Sequence, residues 1–267
     1  MTPREREFVA ALCAERAGLS LEHRRGYLMD SALAPVARRE GYLSISELVR
    51  AARDRADERL SWAIVEGLAP PQTGFFRDPE VFAAVLDALP SGRAEPIRIW
   101  SAACGSGQEV YSLAMLLAER AAVPAAEIFG SDLSQRLVDK AKTGLYSAFE
   151  VQQGLSARRL VHHFEQQGES FAVAPRLRQG LRWRRANLLD DAPGPDRYDV
   201  VLGRYLLGAM TRPARARALT RLTAALKPGG CLVVSPNDVI AAYALGLEPI
   251  CGAPGLFRQS ASVAAAA

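Results

Sequence analysis

The stretch "IRIWSAACGSGQEVYSLAM", residues 97–115, decides the fold. Ile97 to Ser101 reads as a short apolar strand, Ala103-Cys104-Gly105-Ser106-Gly107 as a turn, and the segment from Gly107 to about Ala121 as a helix. A strand that passes through a glycine turn into a helix opens a mainly parallel α/β sheet. The start of such a helix offers free backbone N–H groups and the positive end of its dipole, and the glycines let a ligand approach the backbone. A dinucleotide fingerprint would need a third glycine where Val110 stands, so a pyrophosphate cradle is disfavoured. Asp132 follows 27 residues after Gly105, at the end of the next strand pattern, where a carboxylate can accept both ribose hydroxyls of an adenosine. A small adenosyl cofactor without phosphates therefore fits the turn better than NAD. Glu109, in the first turn of the helix, suits the dipole and can face a positive group on the ligand.

Outward from this unit the chain divides in two. Residues 1–68 lack strand alternation and read as a small all-α N-terminal domain: Phe8 and Leu12 mark one helix, and Ser44 to Glu47 has capping-box spacing ahead of another. "APPQTG", residues 69–74, is a turn-rich linker, and residues 69–267 form the second domain. There Asp78-Pro79 has the pattern of a helix start, with Asp as N-cap and Pro at the first position. Strands are predicted at 97–101, 127–131, 198–202 and 231–235, with helices between them. "FAVAPRLRQGLRWRRAN", residues 171–187, alternates at period two around Pro175 and Gly180, which predicts a small antiparallel β insert at about 166–186.

Composition excludes several classes. The 267 residues are 49% hydrophobic and 23% charged, enough for a sizeable core. No basic leader with an apolar run opens the sequence and no apolar run is long enough to span a bilayer, so a cytoplasmic protein without membrane insertion is expected. Four scattered cysteines and three histidines, two of them adjacent, predict neither a disulfide framework nor a metal site. The net charge of +4 is local: seven arginines between Leu155 and Asn187 face only Glu165 and Glu169. That surplus suits a solvated face or an acidic protein partner, and nucleic acid is not expected as a partner.

The segments "TGFFRD" (73–78), the opening stretch, "IFGSDLS" (128–134), "AKTGLY" (141–146), "ANLLD" (186–190), "YDVVLGRYLL" (198–207) and "LKPGG" (226–230) resemble, in order and spacing, the CheR family of chemotaxis receptor methyltransferases. The last is generic to methyltransferases; the first two are specific. The resemblance implies a Rossmann-like class I methyltransferase sheet with S-adenosyl-L-methionine as cofactor and S-adenosyl-L-homocysteine as product. It implies methyl esterification of glutamate side chains on the cytoplasmic helices of a methyl-accepting chemoreceptor or a related chemosensory protein. Thr73, Arg77, Glu109, Asp132, Asn187, Leu188 and Arg204 match positions that line the cofactor or substrate pocket, Tyr205 stands at a further pocket position, and Arg77 and Tyr205 are the candidate catalytic residues. The chemistry agrees with so sparse a site: a glutamate carboxylate of pKa about 4.3 is ionised at neutral pH and needs no general base, only alignment. An arginine fork such as Arg77 can supply that alignment. Asn187 has the two-sided hydrogen bonding that an adenine edge asks for, or forms a turn.

The sequence also departs from the family pattern. Tyr205 follows Arg204 where the family has asparagine, Ala209 stands where it has tyrosine, Pro71 replaces an asparagine ahead of Thr73, and Ser235-Pro236-Asn237-Asp238 replaces a G-H-S-E segment. Either Tyr205 supplies the lost hydroxyl from another angle, or the chain is a catalytically weakened module that binds cofactor or a protein. The loop Gln166 to Ser170 is short for gripping a receptor-tail peptide, so no dependence on such a tail is expected.

Overall fold

The computed structural model describes residues 1–21, 26–69, 73–89, 95–120, 126–194, 197–235, 238 and 247–259. Pro71, Pro236 and Asn237 lie outside the described residues. The chain separates into two compact units, Met1–Pro70 with Gly208–Arg217, and Pro71–Leu207 with Ala218–Ala267.

Among its described residues the first unit holds α1 (Pro3–Ala17), α2 (Gly26–Arg39), α3 (Ile45–Asp54) and α4 (Glu58–Leu68), with the start of a later helix that begins at Arg212. Their starts are chemically marked. Thr2 and Glu5 form a full capping box on α1, and Ser44 and Asp57 accept N–H bonds at the starts of α3 and α4. The expected box at Ser44 is half made, because the Glu47 carboxylate accepts from Leu43 rather than from Ser44. Buried Val9, Leu33, Leu48, Leu60, Ile64 and Leu68 form the interior, with α4 touching the other three helices.

The second unit begins with α5 (Pro79–Ala88), β1 (Ile97–Ala102), α6 (Gln108–Glu119), β2 (Ala126–Asp132) and α7 (Gln135–Thr143). An inserted layer follows: β3 (Leu145–Ser147), α8 (Ala148–Gln152), α9 (Ala157–His163), β4 (Phe164–Gln167), β5 (Ser170–Val173) and α10 (Pro175–Arg178). The chain then returns through β6 (Leu181–Arg185), β7 (Tyr198–Gly203), α11 (Arg212–Ala224), β8 (Leu226–Val234), β9 (Glu248–Pro249) and β10 (Leu256–Arg258). The main sheet has the order β6-β2-β1-β7-β8-β10-β9, parallel from β6 to β8 and antiparallel at β10 and β9. This is the Rossmann-like class I methyltransferase sheet, in which the order reverses beside β1, between β2 and β7.

The antiparallel insert is the three-stranded sheet β3-β5-β4, with a tight turn at Gly168-Glu169 joining β4 to β5. Leu181–Arg185, whose alternation suggested that insert, instead pairs in parallel with β2 as the edge strand of the main sheet. An edge strand with one solvated face alternates in the same way as a hairpin strand, so period alone cannot separate the two.

Alternation in β1 sends Ile97 and Ile99 to one face, where they meet Ile128, Val200, Val85 and Val110 in one core. A second, aromatic core joins Phe75 and Phe76 to Tyr111, Tyr146 and Phe164, with Phe75 edge-on to Tyr146 at 5.0 Å. Burying each of these rings contributes on the order of 2 kcal/mol. The two phenylalanines are thus core anchors that fix the loop leading to Arg77. Among the described residues no helix is long and apolar enough to cross a membrane.

Gly154 locks that loop from outside, since it adopts φ +100° and a Cβ there would lie 1.9 Å from the Phe75 carbonyl oxygen. Gly154→Ala is expected to lower unfolding stability by about 2 kcal/mol or more, read from the urea midpoint, from backbone strain and the clash together.

Candidate functional site

The site grows from the turn after β1. Ala103, Gly105 and Gly107 all take left-handed backbone angles, which turns the chain sharply from strand to helix. Cys104 N–H donates to the Ser131 carbonyl at 2.9 Å and Gly107 N–H to the Cys104 carbonyl at 3.0 Å, so the turn is hydrogen-bonded to the neighbouring strand and within itself. A Cβ on Gly105 would sit 2.9 Å from the Thr73 side chain. Thr73 in turn donates its hydroxyl to Gln108 at 2.9 Å, and Tyr146 donates to the Ser106 carbonyl at 2.6 Å. The Cys104 thiol is pushed well above its usual pKa, first by burial and then by the nearby charges of Asp132 and Glu109.

Asp132, at the end of β2, is buried and divides its carboxylate between two backbone donors. One oxygen accepts from Gly105 N–H and the other from Ser134 N–H, both at 2.9 Å. The acid that the spacing singled out therefore ties β2 to the glycine turn. The next strand end is attached here too, by Ala186 N–H donating to the Asp132 carbonyl at 2.9 Å.

Arg204, immediately after β7, is the most connected group of the site. Its guanidinium is buried and donates to the Glu109 carboxylate at 2.9 Å, to the Asp78 carboxylate at 2.6 Å and to the Arg77 carbonyl at 2.8 Å. Burial disfavours its charge, but Glu109 foremost, then Tyr205 and Asp78, outweigh that and raise its pKa. Glu109 uses its other oxygen to accept from the Ser101 hydroxyl at 2.8 Å. Asp78 also accepts the Tyr205 hydroxyl, and the Arg77 guanidinium lies 3.7 Å above the Tyr205 ring. Asp78 thus departs from the expected N-cap: it is left-handed, at φ 56°, and makes no side-chain bond to its helix. Its carboxylate serves Arg204, far along the chain, instead of the adjacent helix.

Thr73, Arg77, Glu109, Arg204 and Tyr205 line one narrow cleft, together with Gly74, Ala103 and Cys104. Asp132 reaches it through Gly105. Asn187 and Leu188 do not line it: the Asn187 amide donates to Asp190 at 2.7 Å and its oxygen accepts from Leu189 N–H at 3.2 Å, which is the turn-forming role. Sequence reasoning overlooked Asp78 as a site residue, although it closes the same "TGFFRD" segment. Phe76, Asp78, Ala103 and Tyr205 are four of the five non-glycine residues with positive φ among the described residues, so strained backbone gathers around this cleft.

A cleft at the carboxyl ends of β1 and β7, at the point of strand reversal, is where open α/β sheets take small ligands. The donor set is amphoteric, with a guanidinium and carboxylates within reach of one another, which suits the ammonium and carboxylate of an amino-acid cofactor. Gly74 leaves room as well, since a Cβ there would meet nothing within 4 Å.

Fold and cleft together define a methyltransferase of the S-adenosylmethionine-dependent type. The sequence model of the CheR methyltransferase, SAM binding domain, matches residues 71–248, and the chain belongs to the CheR methyltransferase family. It is 29% identical over 255 residues to a chemotaxis protein methyltransferase, Cher2, of Pseudomonas putida, covering 91% of this chain and 93% of the relative. It is 30% identical to chemotaxis protein methyltransferase 1 of Pseudomonas aeruginosa, covering 84% of this chain and 85% of the relative. It is also 31% identical to the probable biofilm formation methyltransferase WspC of Pseudomonas aeruginosa, covering 70% of this chain and 46% of that longer relative. S-adenosyl-L-methionine is the cofactor of this family's domain.

Burial raises the Asp78 pKa, but hydrogen bonds from Tyr205 and Arg204 outweigh it and leave the carboxyl below its usual value. The folded state then holds this proton less readily than the unfolded chain. The stabilisation is full above the unfolded pKa of about 3.9 and is lost as pH falls through the lower folded value. In urea titrations below about pH 5, Asp78→Asn is expected to show a shallower acid-side loss of stability than the parent protein.

Proposed function

We propose that this chain transfers the methyl group of S-adenosyl-L-methionine to glutamate side-chain carboxylates of a chemoreceptor's cytoplasmic helices, or of a related chemosensory protein. One observation carries this reading: of the two arginines lining the cleft, only one is committed to the protein. Arg204 is saturated by Glu109 and Asp78, whereas the exposed Arg77 makes no salt bridge among the described residues and rests on the Tyr205 ring. A guanidinium held by stacking rather than by a carboxylate is available for a substrate carboxylate. The names of the relatives above support a chemotaxis or other chemosensory setting.

The bound cofactor supplies an electrophilic methyl on a sulfonium. Glu109 and Asp132 offer negative charge and hydrogen-bond acceptance to the amino-acid and ribose ends, and Thr73 packs the glycine turn from above. Arg77 orients the incoming carboxylate, which is already ionised and needs no base. Tyr205 has its hydroxyl committed to Asp78, and its pKa is raised first by burial and then by that bond, so its role is to carry the Arg77 guanidinium rather than to exchange protons. Asn187 and Leu188, one strand end away, would close the adenine side when the cofactor is bound.

Two experiments test this. Calorimetry with S-adenosyl-L-homocysteine is expected to give micromolar binding that Asp132→Ala weakens at least about tenfold, since the glycine turn loses its anchor; undiminished affinity in the variant would remove Asp132 from the site. Arg77→Ala is expected to lower kcat/KM for methyl transfer to a receptor fragment by about a hundredfold, or roughly 2.7 kcal/mol, with the transferred methyl recovered as methanol after alkaline treatment. An alkali-stable product would rule out a carboxylate ester.

A further inference from the structure

The face of the main sheet opposite α5 and α6 carries a second concavity, remote in function from the cleft. In doubly wound sheets a helix after the third strand of the β6-β2-β1 half would cover it. Here residues 186–197 run from β6 to β7, and the described ones form a turn and extended chain without a helix. The result is an open groove of about 690 Å³ lined by residues of β1, β2, β6 and β7 and by residues 191–194 and 197, with no helix residue among the described ones of its lining.

Its floor is aromatic and its rim is cationic. Phe129 and Tyr198 line the groove and stack on each other at 6.4 Å, and the buried Trp100 packs behind them, 6.4 Å from Phe129 and 5.8 Å from Tyr198. Arg98, Arg182, Arg184 and Arg197 line the groove, against Glu127 and Asp191. Two of the four are paired, Arg98 with Glu127 at 3.5 Å and Arg184 with Asp191 at 3.3 Å, in exposed pairs worth at most about 1 kcal/mol each. Arg182 and Arg197 are exposed and make no ion pair among the described residues.

We propose that this groove docks an acidic, extended polypeptide segment of a protein partner. Carboxylates suit it because each arginine offers a planar fork, and the two weak internal pairs exchange at little cost. A peptide's own apolar side chains would cover the aromatic floor. A nucleic-acid strand fits less well: Glu127 and Asp191 oppose a continuous phosphate chain, and the ring faces are already occupied by one another and by Arg184, which sits 5.7 Å from the Phe129 centroid. The groove lies apart from the lining of the cleft, so docking here is independent of the methyl-transfer reading.

The test is fluorescence anisotropy with a labelled peptide of about twelve residues alternating Glu and Tyr, measured without cofactor. The full chain is expected to bind it, with affinity falling several-fold as salt is raised past the point where the Debye length drops below about 8 Å. Arg182→Glu with Arg197→Glu is expected to weaken binding at least about tenfold, or roughly 1.4 kcal/mol. A charge-matched control on other surfaces, Arg55→Glu with Arg136→Glu, should stay within about twofold. Thermal midpoints confirm that the variants fold; if the Glu pair does not, Arg182→Ser with Arg197→Ser replaces it. Absence of peptide binding, an equal loss in the control pair, or stronger binding of a single-stranded oligonucleotide that depends on Arg182 and Arg197 would each overturn the proposal.

Discussion

A single buried guanidinium organises the second unit. Arg204 is 5% exposed, and a charge so placed without partners would cost several kcal/mol. The structure meets that requirement by bringing two carboxylates to it from positions 126 and 95 residues away in sequence, Asp78 and Glu109. Each partner belongs to a different element: the loop after the aromatic anchors, the first turn of α6, and the end of β7. Satisfying one cation therefore fixes how three segments meet. The cleft is the space left between them, and removing either acid would leave the arginine half-compensated and the three segments free to separate.

The architecture of that half was largely legible because its signals are local. Apolar strands, glycine turns and capping residues announce themselves within a few positions, and β1, the turn and α6 fall where the pattern puts them. What escaped was set at long range. Asp78 has the sequence grammar of a helix cap, but its carboxylate is claimed by Arg204, and nothing near Asp78 encodes that competition. Leu181–Arg185 alternates as a hairpin strand would, and its parallel place beside β2 depends on a pairing that spans the whole insert. Asn187 was legible for the opposite reason: its role in the turn is local and was one of the readings open to it.

The second unit separates two kinds of recognition on one sheet. The cleft lies past the carboxyl ends of the strands, where backbone and side chains converge on a small volume. The basic groove lies on the face of the strands, where alternation turns Arg98 and Phe129 outward while Ile99 and Ile128 face the core. Because the strands whose face bears the groove also end at the cleft, the sheet gives both of them a rigid support without a shared lining residue.

The gathering of positive φ at Phe76, Asp78, Ala103 and Tyr205 sets backbone ease against the needs of the cleft. Each of these residues holds a conformation that glycine would adopt without strain, so glycine would relieve the backbone at every one of them. It would also delete, in turn, an aromatic anchor, the carboxylate for Arg204, part of the cleft wall and the ring beneath Arg77. Thermal robustness alone would therefore favour glycine at these four positions, and each replacement would remove a group the cleft uses.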